Sequence, residues 1–217
     1  MALGKRLINT GAAAAVCNTE SVQAFGADSA FSSNVALYQL DGDGGVTNNV
    51  PDTTTNYDGT ASNVTYATGQ FGNAAVFNGS SSKIVTTLNP NGFTQIAISC
   101  WINTTSSGVN DHIVSANDGT NWCFLSMSSG IITFGASNGG SSIFSATHTG
   151  AINDGNWHHV LGTYNGTNAT LYIDSTAYTP VSATASLSVN IAFGIGYRNT
   201  AASSGTYYDG KIDEVRI

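Results

Sequence analysis

Residues 153–174 read N-D-G-N-W-H-H-V-L-G-T-Y-N-G-T-N-A-T-L-Y-I-D, and this stretch decides the fold. Trp157 to Tyr164 is a run of aromatic and β-branched residues, the composition of a strand. Asn165-Gly166 follows as a short turn signal, because both residues take positive φ at little cost. Thr170 to Asp174 returns, with Leu171 and Ile173 on one face and Tyr172 and Asp174 on the other. The stretch is therefore a β-hairpin.

Working outward, the same alternation recurs. Ile96, Ile98, Cys100 and Ile102 share one face of a strand over 96–103, and Ala97, Ser99, Trp101 and Asn103 share the other. Further strands are expected at 34–40, 70–79, 83–88, 112–115, 122–127, 131–134, 142–146, 187–197 and 211–217. Residues 41–58 read as a long loop rich in Gly, Asn, Asp and Thr. No helix longer than a turn or two is expected. Many short strands joined by small polar turns predict an all-β chain folded as a two-sheet antiparallel sandwich.

Composition narrows the function. Only 9% of the 217 residues are charged, with six Lys and Arg against thirteen Asp and Glu, for a net charge of −7. Six dispersed cations do not build the basic patch that a phosphate backbone requires, which excludes nucleic acid as a partner. No run of 18 apolar residues exists to insert into a membrane as a helix. The three cysteines, Cys17, Cys100 and Cys123, fit no zinc spacing. Cys100 reads as a small core residue, and a Cys100–Cys123 bridge requires neighbouring strands. Residues 1–33 lack strand or helix period. With Lys5 and Arg6 ahead of a small-residue run they superficially suggest a leader, but the apolar region is too short and too polar, and an irregular N-terminal arm is the expectation. The domains are then an arm at 1–33 and a sandwich at 34–217.

Five motifs carry a resemblance over residues 34–217: V-A-L-Y-Q-L-D-G, G-Q-F-G-N-A-A-V-F-N-G-S-S-S-K-I, I-A-I-S-C-W-I-N-T-T, W-H-H-V followed by L-Y-I-D, and G-K-I-D-E-V-R-I. In this order they resemble the laminin-G-like branch of the concanavalin A-like lectin/glucanase superfamily. The resemblance implies a jelly-roll sandwich and allows lectins, adhesion modules, enzymes and structural modules. The opening M-A-L-G-K-R-L-I-N-T-G, C-N-T-E-S-V and F-G-A-D-S-A-F-S-S-N are similar to laminin-G-like proteins of marine tailed bacteriophages. That likeness implies a virion protein, on the particle surface, in multiple copies or as a homo-oligomer, held to other virion proteins through residues 1–33.

The glucanases of the superfamily use E-x-D-x-E or E-x-D-x-x-E on one strand. Here the only glutamates are Glu20 and Glu214, and neither belongs to such a motif. Asp213 and Glu214 are adjacent, so a regular strand points them to opposite faces. No catalytic residue is expected. Adjacent His158 and His159 point to opposite faces and read as structural histidines, as do His112 and His148.

Two places suit a sugar, which asks for exposed aromatics beside amide and charged partners. One is Trp122 with Asp118 and Asn121; the other is Tyr197, Arg198, Tyr207 and Tyr208. Trp101 and Trp157, in framework motifs, are expected between the sheets. For a metal, Asp41, Asp43 and Asp213, with Asn48, Asn49 and Asp52 in the loop, offer hard oxygen ligands suited to a structural calcium ion. Asp213 shares parity with Val215 and Ile217 and points inward unless a bulge intervenes. Ordinary Asx turns, or a pair between Asp213 and Arg198 or Arg216, are the competing reading. The expected function is non-catalytic: attachment to host-surface glycans from the virion surface. Capsid decoration or fibre building without a glycan is the rival, and glycan cleavage a third class.

Overall fold

In the computed structural model of the protein, residues 34–42, 48–200 and 206–217 are described. The expectations placed on residues 1–33, Cys17 and Asp43 lie outside the described residues. Among the described residues there is no helix. The strands are β1 (Leu37–Tyr38), β2 (Asn49–Val50), β3 (Gly59–Ser62), β4 (Thr65–Thr68), β5 (Asn73–Asn78), β6 (Lys83–Thr86), β7 (Ile96–Asn103), β8 (Asp111–Asn117) and β9 (Trp122–Ser128). They continue as β10 (Ile131–Asn138), β11 (Ser141–Thr147), β12 (Trp157–Tyr164), β13 (Asn168–Ile173), β14 (Thr176–Ala177), β15 (Val181–Ser182), β16 (Gly194–Ile195) and β17 (Asp209–Arg216).

They form two antiparallel sheets. The nine-stranded sheet runs β14-β13-β12-β7-β17-β5-β4, with β1 added to β17 and β15 to β13; the eight-stranded sheet runs β11-β10-β9-β8-β16-β6-β3-β2. This is the sandwich the alternation predicts.

The core lies between the sheets. Ile98, Cys100, Ile102, Val160, Leu171 and Ile212 of the first sheet and Ile84, Leu125, Met127, Phe134 and Phe144 of the second are buried. Phe144 packs across the gap on Tyr164 at 4.8 Å, and on Phe134 at 5.0 Å. The Tyr164 hydroxyl donates to Ala185 O and accepts from Ala185 N, both at 2.8 Å, so this buried oxygen is satisfied. Gly162 on β12 lies where a Cβ would stand 2.3 Å from the Phe134 ring, so the close approach of the sheets there depends on glycine. Cys100 and Cys123 are both buried and free, without a bridge. Burial pushes the Cys123 thiol up to about 12, so it behaves as an apolar side chain.

Several elements depart from the expected strands. Trp101 and Trp157 are half-buried, sharing the outer face of the nine-stranded sheet with His159, because the Ile98 and Cys100 parity takes the interior. The segment 187–197 is laddered only at Gly194–Ile195. The rest of its backbone takes scattered partners: Leu187 N donates to Phe93 O and Phe193 N to Leu88 O, while Ser188 N donates to Asn138 Oδ1 and Asn190 N to Asp118 Oδ2. The β12–β13 loop is held by Asn165 Oδ1, which accepts from Thr167 N and Asn168 N, an Asx turn. A tighter hairpin turn follows at Asp174-Ser175, both with positive φ. On β17 a bulge does intervene: the register with β7 shifts between Asp213 and Arg216, and Glu214 takes φ 50°. Asp213 therefore stands opposite Trp101 on the outer face, while Val215 regains the interior.

Candidate functional site

The outer face of the eight-stranded sheet gathers the aromatics that the core does not use. On β9 Cys123, Leu125 and Met127 point inward, which leaves Trp122, Phe124 and Ser126 outside. Gly135 on β10 stands opposite Phe124. Having no side chain, it lets both rings lean over it; a Cβ there would meet Phe124 at 3.1 Å and Trp122 at 3.2 Å. The two rings stack at 4.9 Å and 26°. His112 meets the Phe124 ring edge-on at 5.4 Å and 79°.

A second pair comes from the distant segment after β16. Gly194 pairs with Ser115 of β8, and the Tyr197 ring covers the space where its Cβ would stand. Tyr207 stacks on Tyr197 at 6.1 Å and 23°, and Lys83 Nζ lies 5.5 Å from the Tyr197 ring centre. Ser115 ties the two halves together: its hydroxyl donates to Tyr197 O and accepts from Asn199 N, each at 3.2 Å. Burial, helped by the charge of Arg198, holds His112 down at about 3, so its ring is neutral at ordinary pH. His112 Nδ1 and Arg198 Nε are both buried without a hydrogen-bond partner.

The structure thus brings Trp122, Tyr197, Arg198 and Tyr207 to one region of one face. Of the other three expected sugar residues, one is buried and two have their polar atoms engaged within the protein. Tyr208 is fully buried and meets Phe77 edge-on, because Gly196 and β17 fix it inside the sandwich. Asp118 and Asn121 are spent on their own loop. Asp118 Oδ1 accepts from Thr120 N and Asn121 N, its Oδ2 from Asn190 N and Asn121 Nδ2, and Asn121 Oδ1 from Gly139 N. Burial, the largest single influence, raises the Asp118 carboxyl, but these donors together outweigh it and hold the group at about 2. Phe124, His112 and Lys83 were not among the expected residues. For Phe124 the signal was present, since W-C-F-L places it on the Trp122 face.

The oxygen ligands divide likewise. Asp52 organises its loop: Oδ1 accepts from Leu37 N and Thr54 N, and Oδ2 from Asn56 N, Tyr57 N and the Thr54 hydroxyl. That is the Asx-turn reading. Asn48 and Asn49 stand exposed at the start of β2. Asp41 Oδ1 accepts from Asn73 N. Asp213 is fully buried; its Oδ2 accepts from Phe71 N at 2.9 Å and its Oδ1 has no hydrogen-bond partner. Burial, with the charges of Glu214 and Asp41 nearby, outweighs the Phe71 hydrogen bond and pushes the Asp213 carboxyl up to about 7. Arg216 pairs with Glu214 at 3.3 Å. Among the described residues no group of three His, Cys, Asp or Glu is placed to hold a metal ion. What does fit calcium is one orphaned carboxylate oxygen with a second carboxylate, Asp41, near it. His158 is clamped, as a structural histidine would be, between Asp174 Oδ2 at 2.7 Å and Asp154 Oδ1 at 3.1 Å.

A sequence model of the concanavalin A-like lectin/glucanases superfamily, of the laminin G type, matches residues 78–217. The chain belongs to that superfamily. No curated protein matches it. Among solved structures this superfamily member is similar to domain 4 of AbnA, a GH43 extracellular arabinanase from Geobacillus stearothermophilus, solved in complex with arabinotriose. The identity is 19%, the TM-score 0.64, and the match covers 85% of this chain and 91% of that one. It is also similar to the binding domain of botulinum neurotoxin DC, solved in complex with rat synaptotagmin II, at 15% identity and TM-score 0.64 over 87% of this chain and 48% of that one. A third likeness is to botulinum neurotoxin type C, whose cell entry depends on interaction with two ganglioside molecules. It has 16% identity and TM-score 0.62 over 85% of this chain and 47% of that one. The chain spans about half the length of the two toxin chains. At these identities the likeness concerns the fold.

In this member of the superfamily, then, the outer face presents the half-buried Trp122–Phe124 pair and Tyr207, which lies on a Tyr197 that is buried rather than exposed as expected, beside an arginine and a lysine. Such a face offers flat apolar surface for a ring and charged donors for its substituents.

Proposed function

We propose that this protein is a non-catalytic glycan-binding module of a virion surface, present in many copies and used for attachment to host-surface glycans. The observation that carries the glycan reading is the stacked Trp122–Phe124 pair on the outer face of the eight-stranded sheet, with Tyr207 on Tyr197 beside it. Sugar rings have apolar C–H faces that pack on such surfaces, while their hydroxyls need hydrogen-bond partners. That the arabinanase domain of the same fold was solved with arabinotriose supports a sugar as ligand. The virion setting rests on the likeness of the opening residues to phage laminin-G-like proteins, and anchorage to other virion proteins is assigned to residues 1–33.

The non-catalytic reading is supported by the carboxylates. Glu214 sits in a bulge and is paired with Arg216, and Asp213 is buried beneath Phe71. Neither is placed for a glycosidic bond. A structural calcium ion at Asp213 and Asp41 is part of the same proposal, favoured by the orphaned Asp213 Oδ1.

The test is glycan binding and turnover measured together. Wild-type protein should bind oligosaccharides by calorimetry and release no reducing ends. Trp122→Ala should weaken binding about tenfold or more, as loss of a central aromatic anchor does. Unchanged binding in that variant would move the site elsewhere, and steady sugar release would make the protein an enzyme.

A further inference from the structure

We propose that the glycan held on this face is acidic, with a carboxylate or sulfate on the sugar seated at Arg198; the inference rests on the reading of the face as a glycan site. Charge placement is the first argument. The chain carries net charge −7, yet two of its six Lys and Arg, Lys83 and Arg198, flank the aromatic pairs. The other two among the described residues lie on the opposite sheet and are engaged there: Lys211 Nζ donates to Thr68 O at 3.3 Å, and Arg216 pairs with Glu214. Asp118, in the loop leading into Trp122, does not neutralise the patch by pairing with either cation, since both its oxygens are held by Thr120, Asn121 and Asn190.

The second argument is an unmet hydrogen bond. Arg198 Nε is buried and has no partner, which is costly for a cationic N–H. His112, only 7% exposed and close enough to feel the Arg198 charge, likewise leaves Nδ1 without a partner. An oxyanion at the guanidinium fork would take two parallel hydrogen bonds, the geometry in which arginine binds carboxylate and sulfate most strongly. Phe124 touches His112 and Trp122 at once. A sugar ring lying on the Trp122–Phe124 pair would therefore bring a ring substituent to the Arg198 end. An anion of this kind satisfies a donor that a neutral sugar hydroxyl satisfies less well.

Calorimetry with three probes tests this: trigalacturonate, a sulfated galacto-oligosaccharide and neutral arabinotriose. The two acidic probes, or one of them, should bind at least tenfold more tightly than the neutral one, and which of them does so tells carboxylate from sulfate. Arg198→Gln should remove that advantage, lowering the ratio of acidic to neutral affinity about ten- to a hundredfold. If Arg198→Gln does not fold, by its melting curve, Arg198→Lys serves: it keeps the charge, lacks the fork and should lose most of the advantage. Equal affinity for all three probes in the wild type, or an acidic preference that survives both variants, overturns the inference and leaves the glycan face standing. Inorganic sulfate competing as well as the acidic sugar overturns it too, because the site would then hold a bare anion. Binding unaffected by Trp122→Ala would overturn the reading of the face itself.

Discussion

Asp213 is a carboxyl with no exposure, one oxygen on Phe71 N and the other on nothing. Its value of about 7 lies above the unfolded 3.8, so the native state binds the extra proton. The stability that this contributes is fully present below pH 3.8 and is lost as pH rises through about 7. A shift of that size corresponds to about 4 kcal/mol. Under chelation the melting temperature should fall between pH 4 and 7, and Asp213→Asn should flatten that limb and melt higher than wild type at pH 8. Calcium should reverse the order at pH 8, adding about 2.7 kcal/mol to wild type at 100 times its dissociation constant and nothing to the variant. A wild-type curve flat from pH 4 to 7 would show that the carboxyl is not strained, and a melting point indifferent to calcium would remove the metal. The sequence displayed the oxygens of Asp41, Asp52, Asp118 and Asp213 equally well. It could not display the donors, and those decide: Asp52 and Asp118 are consumed by backbone N–H groups a few residues on, while Asp213 is covered by a segment 142 residues away in sequence.

At the scale of the element, period-2 alternation was a faithful guide wherever a strand has one buried face. It held along β7, β9 and β13, and it paired β12 with β13. It failed where burial and pairing part company. Leu187 and Val189 are buried like strand residues, but the hydrogen bonds around them are scattered, Leu187 N donating to Phe93 O and Ser188 N to Asn138 Oδ1, so apolar spacing alone overstates that strand. β3 and β4 went unread at their start because G-T-A-S and T-Y-A-T carry too little apolar contrast. Gly162, having no Cβ, is the place where β12 admits Phe134. Gly162→Ala should cost about 1–3 kcal/mol by overpacking, read as a lower denaturation midpoint at unchanged slope. A neutral result would mean that the sheets separate there without penalty.

The whole molecule assembles what the sequence could only present in pieces. Trp122 and the Tyr197–Tyr207 segment read as two separate candidates. They become one face because β16 inserts between β8 and β6, a pairing that no local pattern announces. Residues 34–217 carry both sheets, and Val35 and Ala36 donate to Ile217 O, closing the unit near its two ends. A chain beginning at Asn34 should therefore melt cooperatively like the full-length protein, and on the proposed role it should fail to enter particles. Incorporation at the full-length level would place the assembly contact on the sandwich.

The bulge at Glu214 has an evolutionary consequence. Because it is a single extra residue between Asp213 and Val215, Ile212 and Val215 both face the interior and Asp213 faces out, which is also the order a strand without Glu214 would give. The core is therefore blind to whether that codon is present. Most one-residue insertions in a strand turn every later side chain to the wrong side; this one is silent to the hydrophobic pattern. It leaves selection free to keep or discard the residue for the sake of the outer surface alone, where Asp213 and Trp101 meet.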